Sequence, residues 1–488
     1  MSAVPSAVGL PNEMKLGEID YSLPPASVSY AVKVQPSNIT SIVSPTYTAT
    51  ASQSPLTGLT FPSQTLYFDV PAGQSPSTFI DTRFSTLSFR AVYEVVTAGT
   101  SSVITNGYLR SGGYSFFDRS FVTAQNGNIV EDVTEFGLVN DLLVALQLNP
   151  ATRDSLALQY GFVSDATGYA SQGHPWADMT ATTMAAGQIE SHSYSMPLVS
   201  AILGIANDKF LNIGRTSKMQ FALQTATELP ITITTGTATA AGTFRITLTD
   251  FALNLEYIDI GSAALAMLDS TLVDGKAYMH GVTYKSAGVS MAAASGTQSL
   301  LAGIRGSSVK SAFARFYDQG TNSATNSYNG KYDSKSPSIN SINWNIGGLR
   351  YPSNPINPLL NPAGAFRNLQ MAIGAFNNAQ FQSSVVPAQY CKLSAGGTAQ
   401  GPSVGATQDY NWSLTTAATG LAQFIYGENL EVCARRGLMS GLNASSAPVF
   451  LELNTSVAPT NAQLVYVIAM LDCVFIHDIR TGDISVRV

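Results

Sequence analysis

The sequence predicts an all-β chain made of two consecutive jelly-roll β-sandwiches with a few short helices. Three observations predict it. The chain has 488 residues, too many for one ordinary core and enough for two or three domains of about 100 to 250 residues. Short segments rich in β-branched and aromatic residues, punctuated by Pro, Gly and Ser, run through both halves without a repeated strand-helix alternation. At mid-chain, Thr243–Leu272 reads as the end of one β-domain and the joint to the next. Apolar residues fall at Phe244, Ile246 and Leu248, then at Phe251, Leu253, Leu255 and Tyr257, so a period of two changes phase once near Asp250. One extra residue there predicts a β-bulge or tight bend. After Gly261 the pattern becomes rich in Ala, Leu and Met, and Ser262 is placed to cap a short helix through Leu272.

Residues 1–60 carry Pro5, Pro11, Pro24, Pro25, Pro36, Pro45 and Pro55 among Ser and Thr with little sustained alternation. They read as an extended arm that takes its order from partners, and its removal is expected to leave the rest folded. Residues 61–260 form the first expected domain. TLYFDV, STLSFRAVYEVV and SVITNGYL are its early strands, and Val139–Leu148 can form a short helix. Asn149–Ser195 reads as a long excursion at a surface, followed by the apolar MPLVSAILG and the strands KMQFALQTA and LPITITT.

Residues 261–488 restate that plan as a connecting helix and a second sandwich, the division falling between Ile260 and Val273 and each sandwich having eight main strands. AYMHGVTYKSAGVSM and SSVKSAFARFYDQ are strands, Gly320–Ser338 is a polar loop, and SINSINWNIGGLRYP is a strand ending at Gly347-Gly348 and Pro352. Phe366–Phe376 and Leu414–Tyr426 are helix candidates. Gln463–Ile479 is almost continuously apolar, as expected of a strand covered on both faces.

Charged residues make up only 11% of the chain, against about 25% in an ordinary soluble domain. Surfaces so poor in charge suit contact with other protein surfaces. A secreted or surface carbohydrate-binding or carbohydrate-active β-sandwich, with a polar uncharged exterior, is the alternative reading. The formal net charge of −6 argues against strong direct nucleic-acid binding, and Lys15 and Lys33 are the only basic residues of the arm. No run of about 20 apolar residues predicts a membrane span. The N-terminus lacks the pattern of a signal peptide, which points to synthesis in a cytoplasm-like compartment. Cys391, Cys433 and Cys473 match neither a zinc ribbon nor a disulfide framework and read as reduced thiols. The sequons at Asn38, Asn411, Asn443 and Asn454 arise by chance in a Ser/Thr-rich chain.

Chemistry is nearly absent. There is no phosphate-binding glycine loop, no nucleophile elbow and no HExxH helix. His174, His192, His280 and His477 lie far apart in sequence, and none has a partner at metal-ligand spacing. SHSYS around His192 invites a Ser/His reading, but neighbours on a strand point to opposite faces. The pairs Glu131-Asp132 and Asp69 with Asp81 could line a glycosidase cleft, although 31 acidic residues make some proximity unavoidable. No DxDxDG series supports calcium binding. Trp176, Trp344 and Trp412 read as core or interface anchors. No catalytic, cofactor-binding or metal-ligating residue is assigned, and no cofactor is expected.

SSVKSAFARFYD, an Asn/Ser/Tyr-rich loop and INSINWNIGGLRYPSNPINP, within Ser307–Pro358, together resemble the second jelly roll of double jelly-roll major capsid proteins of small eukaryotic DNA viruses, the virophage, polinton-like and adinto-like group. MPLVSAILG, the LEYIDIGSAALAML joint and the terminal DISVRV fit in order, and the resemblance spans roughly residues 60–488. It implies a structural protein of the virion, made in the host cytoplasm or nucleus. Three subunits would form a pseudo-hexameric capsomer that tiles an icosahedral shell beside penton and minor capsid proteins.

Overall fold

The computed structural model describes residues 27–49, 59–97, 106–109, 112–124, 127–148, 155–160, 187, 189–205, 209–229, 231–234, 242–272, 274–318, 334, 339–358, 360–374, 385, 390, 424–431, 440–459 and 461–488. The first half contains β1 (Val28–Val34), β2 (Ile42–Val43), β3 (Tyr47–Ala49), β4 (Leu59–Thr60), β5 (Thr65–Val70), β6 (Thr78–Thr97), β7 (Asn106–Leu109), β8 (Phe117–Thr123), β9 (Ile129–Thr134), β10 (Ile189–Pro197), β11 (Met219–Thr225), β12 (Glu228–Leu229), β13 (Ile231–Thr234) and β14 (Gly242–Asp259). The second half contains β15 (Lys276–Met291), β16 (Gly296–Ala302), β17 (Val309–Asp318), β18 (Ile339–Ile346), β19 (Leu349–Ile356), β20 (Ile425–Asn429), β21 (Val449–Thr455), β22 (Gln463–Asp478) and β23 (Asp483–Arg487).

The winding is the same in both halves. In the first, one sheet runs β1-β14-β6-β10 and the facing sheet β5-β11-β8-β9; in the second, the corresponding sheets are β15-β22-β17-β20 and β16-β21-β18-β19. Taking eight main strands in chain order, each half places its first, eighth, third and sixth in one sheet and its second, seventh, fourth and fifth in the other. All pairs are antiparallel. That is a jelly roll made twice. The connection from fifth to sixth strand also carries a helix in each half, Phe136–Gln147 in the first and Pro362–Ala372 in the second.

The mid-chain phase change is a bulge. β14 slips against β6 between Thr249 and Ala252, and Asp250 takes the left-handed conformation at φ 57°, which Asp tolerates better than most residues. The slip keeps Leu248 and Phe251 both inside the sandwich, where Phe251 stacks on Phe89 at a ring distance of 6.0 Å. Phe89 also meets Phe116, Phe117 and Tyr194, which together form the aromatic centre of the first core. In the second core Trp344 is fully buried and stacks on Tyr426 at 6.3 Å.

The structure corrects several expectations. The arm of residues 1–60 is too long: β1 pairs with β14 from Val28↔Asp259 to Val34↔Leu253, and β2 and β3 extend the same edge. The first strand of the sandwich therefore lies inside the stretch read as arm. It alternates weakly because one face is open to water, while Val34, Ile42 and Tyr47 are buried. Ser262 does not cap the mid-chain helix, which spans Gly261–Asp269; the Asp259 carboxylate, held by Ser75 and Ser77, accepts from the Gly261 amide instead. The end of the Asn149–Ser195 excursion is strand β10. The strand expected to stop at Gly347-Gly348 turns there and returns as β19 through Pro352. Ile425 and Tyr426, placed in a helix candidate, begin β20; residues 414–423 of that candidate lie outside the described residues.

Trp344→Ala is expected to cost about 3 to 5 kcal/mol by opening a cavity in the second core. Trp344→Phe, which keeps a stacked ring and removes an indole N–H that has no hydrogen-bond partner, should cost distinctly less. Denaturant unfolding curves of both variants measure the difference. Deleting residues 1–60 should lower the melting temperature sharply because it removes β1, whereas deleting 1–26 keeps every described strand and should leave the melting curve nearly unchanged.

Candidate functional site

The residues of interest lie where the two sandwiches meet, along β9 of the first and β15 of the second. Within β9, Val130 and Val133 are buried, and Glu131 lies in sequence between them with 6% of its surface exposed. Its neighbour Asp132 instead forms a two-bond pair with Arg119 at 2.7 and 2.8 Å, part-exposed.

Glu131 is bound by hydrogen-bond donors. One carboxylate oxygen accepts from the Ser200 hydroxyl and the other from the Ala201 amide at 2.6 Å, and Thr283 of β15 adds a further hydrogen bond. Ser200 in turn organises its own turn by accepting from the Ile202 and Leu203 amides at 3.3 and 3.1 Å. Gly204 closes that turn, since a side chain there would meet the Leu198 carbonyl at 2.0 Å. The same turn seats on the second sandwich, where a Cβ on Gly281 would be 2.7 Å from the Ala201 carbonyl oxygen. Burial pushes the Glu131 carboxyl up to about 7, and the hydrogen bonds from Ser200, the Ala201 and Ile202 amides and Thr283 only partly oppose it. The groups facing it, Tyr284 and Cys473, are neutral acids pushed up chiefly by their own burial.

A second buried contact links the first-half helix to the other sandwich. Arg315 of β17 donates to Asp141 at 2.8 Å, the two side chains being 2% and 8% exposed. Around these lie Thr134 with Ser286 at 2.8 Å, Ser217 donating to the Gly482 carbonyl at 2.7 Å, and Arg215 with Asp269 at 2.6 and 2.8 Å. The arrangement holds two β-sandwiches in one orientation.

The residues weighed from sequence fall in separate places. His192 is half-buried on β10 with its ring 5.7 Å from that of Tyr93, and Ser191 beside it accepts from Arg90. Asp69 is held by Gln220 and Lys218, and Asp81 by Arg83, so they do not form a pair. Of the other histidines, His280 meets Asp472 at 3.0 Å and His477 lies 3.4 Å from Thr216; His174, Trp176 and Trp412 lie outside the described residues. Cys473 is a buried free thiol, while Cys391 and Cys433 lie outside the described residues. Among the described residues no three His, Cys, Asp or Glu side chains gather as a metal site, and no helix is long and apolar enough to cross a membrane. Sequence reading missed Asp141, Lys310, Arg315 and Asp472. Their signal was a charge inside an otherwise apolar element, as in VKSAFARF and IAMLDCVF.

No family model and no curated protein matches the chain. Among solved structures it is similar to the Faustovirus major capsid protein, with a TM-score of 0.51 at 10% identity, over 94% of this chain and 92% of that one. It is also similar to a chain of the cryo-EM structure of the Sputnik virophage, with a TM-score of 0.52 at 11% identity, over 92% of this chain and 89% of that one. Both likenesses are of fold, and both extend across the two sandwiches.

The Glu131 carboxyl gives the joint a pH dependence of definite sign. Its folded value of about 7 lies above the ordinary 4.5, so the folded protein holds a proton that the unfolded chain releases between those values. Its contribution is complete below the ordinary value and is lost as pH rises through about 7, with an upper bound of about 3 kcal/mol. Thermal midpoints across that range should fall with rising pH, and Glu131→Gln should flatten the decline. Glu428, also raised to about 7 by burial, accounts for slope that remains. An unchanged profile in Glu131→Gln would show that the joint does not carry the effect.

Proposed function

We propose that this chain is a major capsid protein: a homotrimer of double jelly rolls forming a pseudo-hexameric capsomer of an icosahedral virus shell, with no enzymatic activity. The division into a first sandwich ending at Asp259 and a second beginning after the helix Gly261–Asp269 belongs to the same reading. So do residence in the virion and contact with penton and minor capsid proteins.

One observation supports it above the others. The two equivalent helices are covered unequally. Of the twelve residues in Phe136–Gln147, ten are buried, because one side packs on its own sandwich and Asp141 is held by the second. In Pro362–Ala372 only Ala365, Leu369 and Ala372 are buried, while Ala363, Arg367 and Met371 lie exposed at helical spacing. If the contact between first and second sandwich is repeated between the second and the first sandwich of a neighbouring copy, the open helix is covered and a ring of alternating sandwiches closes. Three copies give six sandwiches. The low charge of the chain and the fold likeness to the Faustovirus major capsid protein agree with such a ring.

Light scattering on the purified protein tests the reading: a trimer that grows into shells is expected, and a monomer with glycan affinity would favour the carbohydrate-binding alternative. Met371→Glu, at a position 36% exposed in the single chain, should leave the circular dichroism spectrum intact and shift the trimer toward monomer.

A further inference from the structure

The second sandwich carries a group of buried side chains that lies apart from the joint. Lys310 lies in β17 where its pairing with β22 slips between Val309 and Ser311, and the bulge directs its side chain to Asp472 on β22. The Lys310 Nζ is 3.3 Å from Asp472 Oδ1 and 3.0 Å from Glu431 Oε1; the three side chains are 17%, 0% and 10% exposed. Two more groups hold the Asp472 carboxyl. The Ser308 hydroxyl donates to Oδ2 at 2.8 Å, and His280 Nε2 lies 3.0 Å from Oδ1. Ser308 is itself fixed, accepting from the Gly441 amide at 3.0 Å.

An amine and a carboxyl held at contact distance beside a second carboxyl are the parts of an amide condensation. We propose that Lys310 and Asp472 join as an intramolecular isopeptide bond, with Glu431 as the proton carrier, stapling the third and eighth strands of the second sandwich. Glu431 takes a proton from Nζ, and the freed amine attacks Cγ of Asp472, forming the N–C bond. Oδ2 becomes the oxyanion and then the amide oxygen, stabilised by the Ser308 hydroxyl. Oδ1 leaves as water, carrying two protons from the original ammonium, one of them through Glu431 while His280 assists at the same oxygen. An ammonium and a carboxylate thus give one amide and one water, with no oxidant, reductant or further reactant. Burial is the largest single influence on both groups and favours their neutral forms; the hydrogen bond to Glu431 and the Asp472 charge nevertheless hold Lys310 up, and the hydrogen bonds from His280 and Ser308, with the Lys310 charge, hold Asp472 down before reaction. Enforced proximity is what lets so slow a condensation proceed once in each chain.

The intact mass of the denatured full-length chain tests this directly. The expected result is a chain one water lighter than its sequence, and a protease digest containing a branched peptide that joins Lys310 to Asp472. Glu431→Gln and Lys310→Arg proteins, checked as folded by circular dichroism, should have full mass. A wild-type chain of full mass after prolonged incubation, with Lys310 open to amine acylation on denaturation, makes the cluster an ion pair only and overturns the proposal. A water loss that maps to a linear peptide overturns it as well.

Discussion

Two buried polar contacts, Glu131 in its nest of donors and the Arg315–Asp141 ion pair, lie where the two sandwiches exclude water, and the joint depends on how those groups are matched. Apolar surface alone would let the sandwiches slide, since burial has little directionality. A buried ionic or strongly hydrogen-bonded group works differently: displacing it leaves a desolvated polar atom without a partner, at a cost of about 3 to 5 kcal/mol for one partner of a buried pair. The seam is therefore specified by penalties on wrong placement more than by net attraction. Gly204 and Gly281 complete the specification, because any side chain at either would force the turn of residues 198–205 off its seat.

The same winding is used twice, yet the two copies have diverged in what covers them. The first-half helix packs on β8 and the Gly112–Phe116 turn of its own sandwich, and its Asp141 is matched by Arg315 of the second. The second-half helix packs on β20 and β17 through Ala365 and Leu369, with Asn368 donating to Glu428 at 2.8 Å, while Ala363, Arg367 and Met371 on its other side are exposed. A chain of equal halves with one covered and one open helix has two unlike ends, which suits head-to-tail closure better than a two-fold dimer.

How far the fold could be read from sequence depended on whether each element kept its period. β14 was legible, bulge included, because its register is enforced by burial of one face and the slip at Asp250 moves the whole apolar set by one residue. β22 was legible as an apolar run covered on both faces. β1 was not, because Tyr30 and Val32 are only partly covered and the surrounding prolines mimic a linker. β20 was hidden by the Ala, Leu and Gly that precede it, which read as helix. The joint could not be read at all: Ser200 lies 69 residues from Glu131, and Arg315 lies 174 residues from Asp141. No local pattern predicts a partner at such separations. A charge inside an apolar strand says only that some partner is required.

Both sandwiches place a bulge at a charged residue in a central strand, and the surroundings decide its use. At Asp250 the bulged residue adopts a left-handed backbone and faces water, and the gain is to Phe251, which is brought back into the first core. At Lys310 the bulge acts in the opposite sense. It brings a long cationic side chain to a fully buried carboxylate on the adjacent strand, with Glu431 and His280 already arranged around it. Regular pairing would carry each strand straight through and place these residues by alternation alone. One extra residue frees the side chain from that alternation, so the first sandwich uses it to repair a core and the second to assemble a reactive pair. Similar local irregularities in two copies of one fold can thus carry different chemistry, decided by the residues that the neighbouring strands present.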